Sequence, residues 1–225
     1  MQKTLRETCP QYVARRLSEG WKITKQEGFL IILESPDGII RPVDLRNDVE
    51  TLRPNAAGDL TEIQYQYPAS GSHYEKVDEE SADDESTYVY AYSTALQRDL
   101  YNLPASSGSG TINFIKVYFR CMRGGIGAGQ NARPVIKSDT TVTEGTSLLP
   151  SRYSYTTYSQ QWNTNPADSQ AWAWADIDAL QIGVKLYAIS STYFIHCTQV
   201  YVEVDYSVIT APTVTTQDAS GIGFD

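Results

Sequence analysis

The alternation of hydrophobic and polar residues is clearest near the end of the chain, over residues 197–206. A period of two is typical of a strand with one buried face and one solvated face. The pattern therefore predicts a half-buried strand. Its predicted buried face carries Val200, Val202 and Val204, and its predicted solvated face carries Gln199, Glu203 and Asp205.

Further strand-like runs follow one another from residue 86 onward, with Gly, Ser, Asn and Pro between them. Only residues 174–180 have a helical pattern, so the regular βα alternation of a parallel sheet is missing. The pattern predicts a mainly β fold, a jelly-roll-like antiparallel β-sandwich over residues 86–206. The predicted strands are 87–92, 111–122, 134–138, 152–162, 182–189 and 193–206.

The N-terminal part has a different pattern. Thr8 and Pro10 favour a helix start, Gly20 favours its end, and three short apolar runs follow. We predict a small α+β docking module over residues 1–60. Like charges at the density of residues 78–85 resist packing, so residues 61–85 are predicted to be an acidic linker. Residues 207–225 are predicted to be an extended C-terminal tail.

Four stretches between residues 77 and 206 resemble a family of β-sandwich virion proteins of tailed phages and prophages. They are the acidic lead-in into Ser86–Tyr90, the triplet Asp99-Leu100-Tyr101, the strand at residues 112–120, and the run 174–180 before the final strand. The resemblance implies a sandwich fold, a virion location after synthesis in the host cytoplasm, and other virion proteins as partners. Residues 1–68 lie outside it.

Charge narrows the possible partners. The formal net charge is −9, and the acidic excess lies after Leu60, where eighteen acidic residues accompany nine basic ones. Such a surface repels phosphate backbones, so we expect no direct nucleic-acid binding. No run of about 18 apolar residues is present, so we expect no membrane insertion. The modular N-terminus, the tail and 16 Tyr residues favour a homo-oligomer.

The three cysteines are Cys9, Cys121 and Cys197. Alternation places Cys121 with the apolar residues of its strand and Cys197 with Gln199 and Glu203. The two thiols are therefore predicted to face opposite sides of their sheets, and a disulfide is expected only if a bulge turns one strand over.

Aromatic residues are the main candidates for a binding site. Tyr153 and Tyr155 share a predicted strand face and could stack on a host surface glycan, whereas packing in the core or an interface is the alternative. The candidate glycan or interface aromatics are Tyr153, Tyr155, Tyr158, Trp162, Trp172 and Trp174.

Candidates for catalysis and metal binding are weaker. His73 and His196 lack the sequence context of a triad or a zinc site. The acidic pairs Asp176 and Asp178, and Asp83 and Asp84, are possible Ca²⁺ ligands, with a solvated face or a helix cap as the alternative. We expect no enzyme, no cofactor and no metal.

These observations predict a structural component of a tailed-phage-like virion, an accessory protein of capsid surface, neck or tail that acts through protein–protein assembly. The alternative is a carbohydrate-binding β-sandwich involved in host attachment.

Overall fold

We describe the protein from a computed structural model, which covers residues 9–27, 30–44, 47–92, 95, 97–126, 129–190 and 192–208. The chain divides into two units. One contains the chain up to Arg46 together with the segment from Ser207, and the other spans Asn47–Tyr206.

The first unit begins with helix α1 (Cys9–Ser18), followed by an antiparallel meander of three strands. Gly20 ends the helix with φ +87°, where the Trp21 N–H donates to the Arg16 carbonyl at 3.0 Å. This left-handed position is one that glycine adopts without strain. The strands are β1 (Lys22–Glu27), β2 (Leu30–Glu34) and β3 (Ile40–Asp44).

A small core holds this unit together. Trp21, Ile31 and Leu33 are buried, and Tyr12 and Val13 of α1 pack against them. Among the described residues of this unit, these three buried apolar side chains make a marginal core, as expected for a module of this size. The predicted helix followed by a three-stranded meander is confirmed.

The second unit contains two antiparallel sheets. The five-stranded sheet consists, in order across it, of β11 (Thr141–Glu144), β10 (Asn131–Ser138), β13 (Gln181–Tyr187), β8 (Gln97–Asn102) and β5 (Ala56–Thr61).

The six-stranded sheet has β14 at its centre, and its edge strands are β12 and β6. Across the sheet run β12 (Thr156–Trp162), β9 (Thr111–Arg123), β14 (Ile195–Ser207), β7 (Tyr88–Ala91) and β6 (Tyr65–Tyr67), while β4 (Asn47–Leu52) also pairs with β14.

The core of the second unit lies between the two sheets. It takes alternate residues from each side, such as Ile115, Val117 and Phe119 of β9 and Ile182 and Val184 of β13, all essentially unexposed. A mainly β antiparallel sandwich preceded by a small α+β module is therefore confirmed as the fold. The predicted helical run is also present as the short helix α2 (Trp174–Asp178).

Gly183 in β13 fixes how closely two central strands approach. It pairs with Leu100 of β8. A Cβ atom built on Gly183 would lie 1.8 Å from the backbone oxygen of Asp99. No side chain fits at this distance, so the β8–β13 pairing requires glycine here.

The unit boundary differs from the predicted one. Residues 47–61 supply β4 and β5 to the sandwich, and the predicted linker 61–85 supplies β6 and the 3₁₀ helix His73–Lys76. The boundary thus lies at Arg46, and the sandwich begins long before residue 86. Of the predicted tail, Ser207 is the last residue of β14, and residues 209–225 lie outside the described residues.

The acidic run packs against the sandwich because its charges and carbonyls find donors there. Asp84 accepts two hydrogen bonds from the Arg120 guanidinium, at 2.6 and 2.8 Å. The Glu79 carbonyl accepts from the Arg53 guanidinium and from the Gln199 side-chain amide, each at 2.6 Å. Because this segment has hydrogen-bonding and ion-pair partners on the sandwich, its charge does not prevent packing. Charge density alone therefore mispredicted a linker here.

The final strand has an irregularity that alternation did not reveal. Val200, Val202 and Val204 are fully buried, as predicted, and so is Cys197. Strict alternation would put Cys197 and Val200 on opposite faces, yet both lie in the core. The strand therefore contains one extra residue, a bulge, at Thr198 and Gln199. The prediction that Cys197 faces away from the core is wrong, and so is the prediction of a solvated Gln199, which is only 6% exposed.

A buried carboxylate joins the 3₁₀ helix to the sandwich. Asp99 of β8 is fully buried and accepts hydrogen bonds from the Ile63 N–H at 2.9 Å and from the Tyr101 hydroxyl at 3.2 Å. The same carboxylate contacts the 3₁₀ helix, where His73 Nδ1 lies 2.6 Å from Asp99 Oδ2. One buried acceptor therefore serves three segments of the chain, the kind of network that fixes a unique arrangement.

Changing Val202 to Asp should destabilise the protein strongly, because it forces a carboxylate into the apolar core. We expect a loss of several kcal/mol in the free energy of unfolding, against roughly 0.5 kcal/mol for Ser159→Asp on the exposed face of β12. Urea denaturation of the two variants tests this. Similar midpoints for both would contradict the assignment of the core face of β14.

Changing Asp99 to Ala should leave three donors without their acceptor. Buried unsatisfied groups cost about 1–3 kcal/mol each, so we expect a loss of at least about 3 kcal/mol in unfolding free energy. The control Tyr101→Phe removes one donor and should cost about 1 kcal/mol. An Asp99→Ala variant as stable as the Tyr101→Phe variant would show that the carboxylate does not join these segments.

Candidate functional site: the tyrosine ladder

The outer face of the six-stranded sheet carries a continuous group of aromatic rings at the β6 edge. Strand pairing places Tyr65 opposite Tyr90 and Tyr67 opposite Tyr88, while His196 of β14 lies opposite Tyr90. Because side chains alternate between faces, these residues all point away from the core. We call this group the tyrosine ladder; its members are Tyr65, Tyr67, Tyr88, Tyr90, Tyr92, Phe194 and His196.

The rings of the ladder stack on one another across the strands. Tyr67 and Tyr88 have ring centroids 5.3 Å apart with planes inclined by 22°, and Tyr65 and Tyr90 are 5.3 Å apart at 13°. The next ring inward is His196, 4.0 Å from Tyr88 and inclined by 12°. Aromatic pairs at such separations contribute about 0.5–1.5 kcal/mol each beyond their buried area.

The ladder continues at its far end through Tyr92 and Phe194. Tyr92 makes edge contacts with Tyr90 at 5.2 Å and with Phe194 at 6.0 Å, and Phe194 lies 4.6 Å from His196. The inner ring faces are thus covered by neighbouring rings. The ladder therefore does not form a flat platform on which a sugar ring could lie.

Exposure rises toward the edge of the sheet. Tyr65 and Tyr67 on the edge strand β6 are 40% and 49% exposed, whereas His196 is 7% exposed. The β6 rings have neighbours on their inner side only, since β6 ends the sheet. In the part of the chain that the structure describes, the hydroxyls of the five ladder tyrosines form no hydrogen bond with the protein.

Burial keeps the inner ladder uncharged. It raises the pKa of Tyr88 and Tyr90, so their hydroxyls remain protonated donors. It lowers the pKa of His196 to about 4, because the charged imidazolium would lose its hydration. The Tyr155 hydroxyl lies 3.2 Å from His196 Nδ1 and donates to it in the neutral tautomer that carries its proton on Nε2.

Charge lies along one side of the ladder. After burial, the largest cause that raises the pKa of Tyr88 is the nearby carboxylate of Glu85, and the same carboxylate acts on Tyr155. Arg120 is paired with Asp84 beside it. The face thus combines neutral aromatic rings with the nearby carboxylate of Glu85, and it suits a ligand that is uncharged or basic.

The structure does not bring the six predicted aromatics together. Tyr153 is 59% exposed and its hydroxyl accepts from the Gly125 N–H at 3.0 Å, whereas Tyr155 contacts the ladder through His196. Both precede β12, so they do not share a strand face. The other four pack against the sandwich core: Tyr158, Trp162, Trp172 and Trp174.

Two of these indoles pack in or against the core and donate to backbone carbonyls. Trp172 is 4% exposed and donates to the Trp162 carbonyl at 3.0 Å. Trp174 donates to the Gly110 carbonyl at 3.0 Å and makes an edge contact with Tyr206 at 5.0 Å. Both residues therefore follow the alternative of core packing and not the predicted glycan site, since each indole N–H has an acceptor within the protein.

The acidic metal candidates are each held by protein donors. Asp176 accepts from the Ala173 N–H at 2.8 Å within the first turn of α2, and Asp178 accepts from the Ser106 N–H at 2.8 Å. Asp83 accepts from the Thr87 hydroxyl at 2.9 Å, and Asp84 pairs with Arg120. Among the described residues, no three His, Cys, Asp or Glu side chains converge as metal ligands.

The signal for the ladder was present in the sequence. Tyr65-Gln66-Tyr67 and Tyr88-Val89-Tyr90-Ala91-Tyr92 repeat tyrosine at every second position, which places the rings on one face of each strand. Which two strands pair, and in which register, follows from the fold and cannot be read from either segment alone.

Comparison with known proteins gives little. No protein-family model and no curated protein match this chain. Among solved structures, the chain is similar to a Stig cyclase, Fisc, from Fischerella sp. TAU in complex with (3Z)-3-(1-methyl-2-pyrrolidinylidene)-3H-indole. The TM-score is 0.34 with 11% identity, over 85% of this chain and 83% of that one. A similarity this low supports no argument about the activity of this chain.

The predicted function is corrected by these comparisons. None of these comparisons points to a phage structural protein, and the resemblance to a phage family finds no support among them. We therefore discard the role as a structural component of a tailed-phage-like virion, together with its host-attachment alternative. Among the described residues, no helix has the length and apolar character needed to cross a membrane.

The pH dependence of stability should reveal the buried neutral His196. Its pKa in the folded protein, about 4, lies below the ordinary value of 6.5, so the unfolded chain binds the extra proton first as the pH falls. The contribution of His196 to the free energy of unfolding is fully present above pH 6.5 and is lost as the pH falls from 6.5 to 4. We expect a loss of roughly 2–3 kcal/mol on going from pH 7.5 to 4.5.

The variant His196→Gln isolates this contribution, because every other titrating group is retained. Urea denaturation at both pH values should give a smaller decrease for the variant by about that amount. Equal decreases for the two proteins would contradict a buried neutral imidazole.

Proposed function

We propose that this protein is a non-catalytic binding domain that accepts an extended polypeptide segment of a partner at the β6 edge of its six-stranded sheet. The segment would add to the sheet as a further strand. Its recognition element is a set of aromatic side chains at every second position, which stack on Tyr65 and Tyr67 of the tyrosine ladder.

The observation that carries this proposal is the pattern of cross-strand rows. His196, Tyr88 and Tyr67 form one row, and Tyr90 and Tyr65 form the next. The first row has rings on β14, β7 and β6, the second has rings on β7 and β6, and both rows stop at β6. An added strand with rings at matching positions would continue both rows, with the same stacking that already joins β6 to β7.

The backbone of β6 supports the same mode of binding. β6 is the last strand in the sheet order, so one side of its backbone has no strand partner within the sheet as described. Exposed edges accept extended peptides through main-chain hydrogen bonds, while side chains at alternate positions give specificity. A strand of three residues gives few such bonds, so the rings must supply much of the selectivity.

The chemistry of the face supports binding rather than catalysis. The only imidazole of the ladder has a pKa of about 4 and has Tyr155 at its Nδ1, so it is not available as a general base near neutral pH. The Glu85 carboxylate near the ladder disfavours an acidic segment. The expected ligand is therefore an aromatic segment that is neutral or basic.

A synthetic peptide with the sequence of residues 87–92, Thr-Tyr-Val-Tyr-Ala-Tyr, is a direct test. In the fold this strand pairs with β6 and places tyrosines in both rows. We expect a fluorescently labelled peptide to bind the protein in an anisotropy titration. The same peptide with serine in place of each tyrosine should bind at least about fivefold more weakly, since two stacked pairs are lost at about 0.5–1.5 kcal/mol each.

Matched variants of the protein locate the binding surface. Tyr65→Ala and Tyr67→Ala should each weaken binding by roughly threefold to tenfold, because each removes one exposed stacking partner. Tyr153→Ala removes a ring outside the ladder that is more exposed than either of them, and it should leave the affinity unchanged. Absence of peptide binding by the unmodified protein, or equal affinities of all three variants, would contradict the proposal.

A further inference from the structure

Two thiols lie side by side in the core of the sandwich. Cys121 on β9 and Cys197 on β14 are both fully buried in the cluster between the two sheets. β9 and β14 are neighbours in the six-stranded sheet. The extra residue at Thr198 and Gln199 turns Cys197 toward the core. Without it, regular alternation would place Cys197 on the outer face together with Gln199.

The register of these two strands sets the cysteines opposite each other. The Gly124 N–H donates to the Phe194 carbonyl at 2.9 Å. Further along, Tyr118 stacks on Tyr201 at 4.7 Å, so the strands run antiparallel. Cys121 lies three residues before Gly124, and Cys197 lies three residues after Phe194. Antiparallel pairing from the Gly124–Phe194 contact therefore places the two cysteines opposite each other.

Opposed residues of antiparallel strands suit a disulfide. Their Cα atoms lie about 4.5–5.5 Å apart, within the range of roughly 4.4–6.8 Å that disulfides span. After burial, the nearby Cys197 thiol is the group that raises the pKa of Cys121. Neither the backbone nor the neighbouring core side chains must therefore move far for the sulfurs to join.

We propose that Cys121 and Cys197 form a reversible cross-strand disulfide when the chain folds in the presence of a small-molecule disulfide such as oxidised glutathione. One protein thiolate attacks the glutathione disulfide, forms a mixed disulfide and releases one glutathione thiol. The second protein thiolate attacks the mixed disulfide and releases the other. Two protein thiols are oxidised, and one glutathione disulfide is reduced to two thiols.

The timing of this reaction follows from burial. Burial raises the pKa of the Cys121 thiol, so in the folded protein the nucleophilic thiolate is scarce. The side chains are also out of reach of a dissolved oxidant. The bond therefore forms during folding or during transient opening, and once formed it is protected from reductants in the same way.

The test uses the full chain with Cys9→Ser, which removes the third thiol and keeps the pair. The protein is refolded from denaturant with oxidised and reduced glutathione, unfolded again, and treated with N-ethylmaleimide. Intact mass spectrometry should show no maleimide adduct after oxidative refolding and two after reduction. Peptide mapping should find residues 121 and 197 in one linked peptide.

A melting experiment gives a second readout. A disulfide between distant positions in the chain should raise the melting temperature by roughly 5–15 °C, and unfolding and refolding in the presence of a reductant should remove the rise. The control Cys9→Ser/Cys121→Ser should show one adduct under both conditions and no reversible rise. Two adducts on the Cys9→Ser protein after oxidative refolding would overturn the proposal, and so would glutathione bound separately to each cysteine. Neither readout depends on the tyrosine ladder or its ligand.

Discussion

The residue gained at Thr198 and Gln199 in β14 is the constraint on which much of the second unit depends. β14 runs through the centre of the six-stranded sheet, and every side chain on it faces either the core or the outer surface. A shift of one residue exchanges the two faces for everything on one side of it. In this strand Ile195 and Cys197 join the core on one side of the shift, and Val200, Val202 and Val204 join it on the other.

The same shift organises three separate features. It turns His196 outward, where it becomes the inner ring of the tyrosine ladder. It turns Cys197 inward toward Cys121. Between these segments, Thr198 donates to the Thr87 carbonyl at 2.9 Å and Gln199 donates to the Glu79 carbonyl, so the acidic run is held at the irregular position. A bulge that re-aims side chains next to a binding surface is a recurrent device of β proteins.

Local patterns in the sequence were sufficient for the fold class and for most of the core. Alternation correctly assigned Val200, Val202 and Val204, and the absence of helices between strands correctly excluded a parallel sheet. Alternation failed where a bulge interrupts it, because nothing in Thr198 or Gln199 marks an added residue. Charge density failed for residues 78–85, because the partners that neutralise the run, such as Arg120, are distant in sequence. The candidate site needed strand pairing, which local sequence does not contain.

Gly183 carries a consequence for how this sequence can diverge. Since a side chain at this position would collide with the Asp99 backbone, substitutions there are excluded whatever happens to the surface. Asp99, the residue before the strand partner Leu100, contributes the buried carboxylate that accepts from Ile63 and Tyr101. A glycine opposite the middle residue of an Asp-Leu-Tyr triplet in the neighbouring strand is therefore a compact signature. Distant homologues should retain it long after the acidic run and the exposed tyrosines have changed.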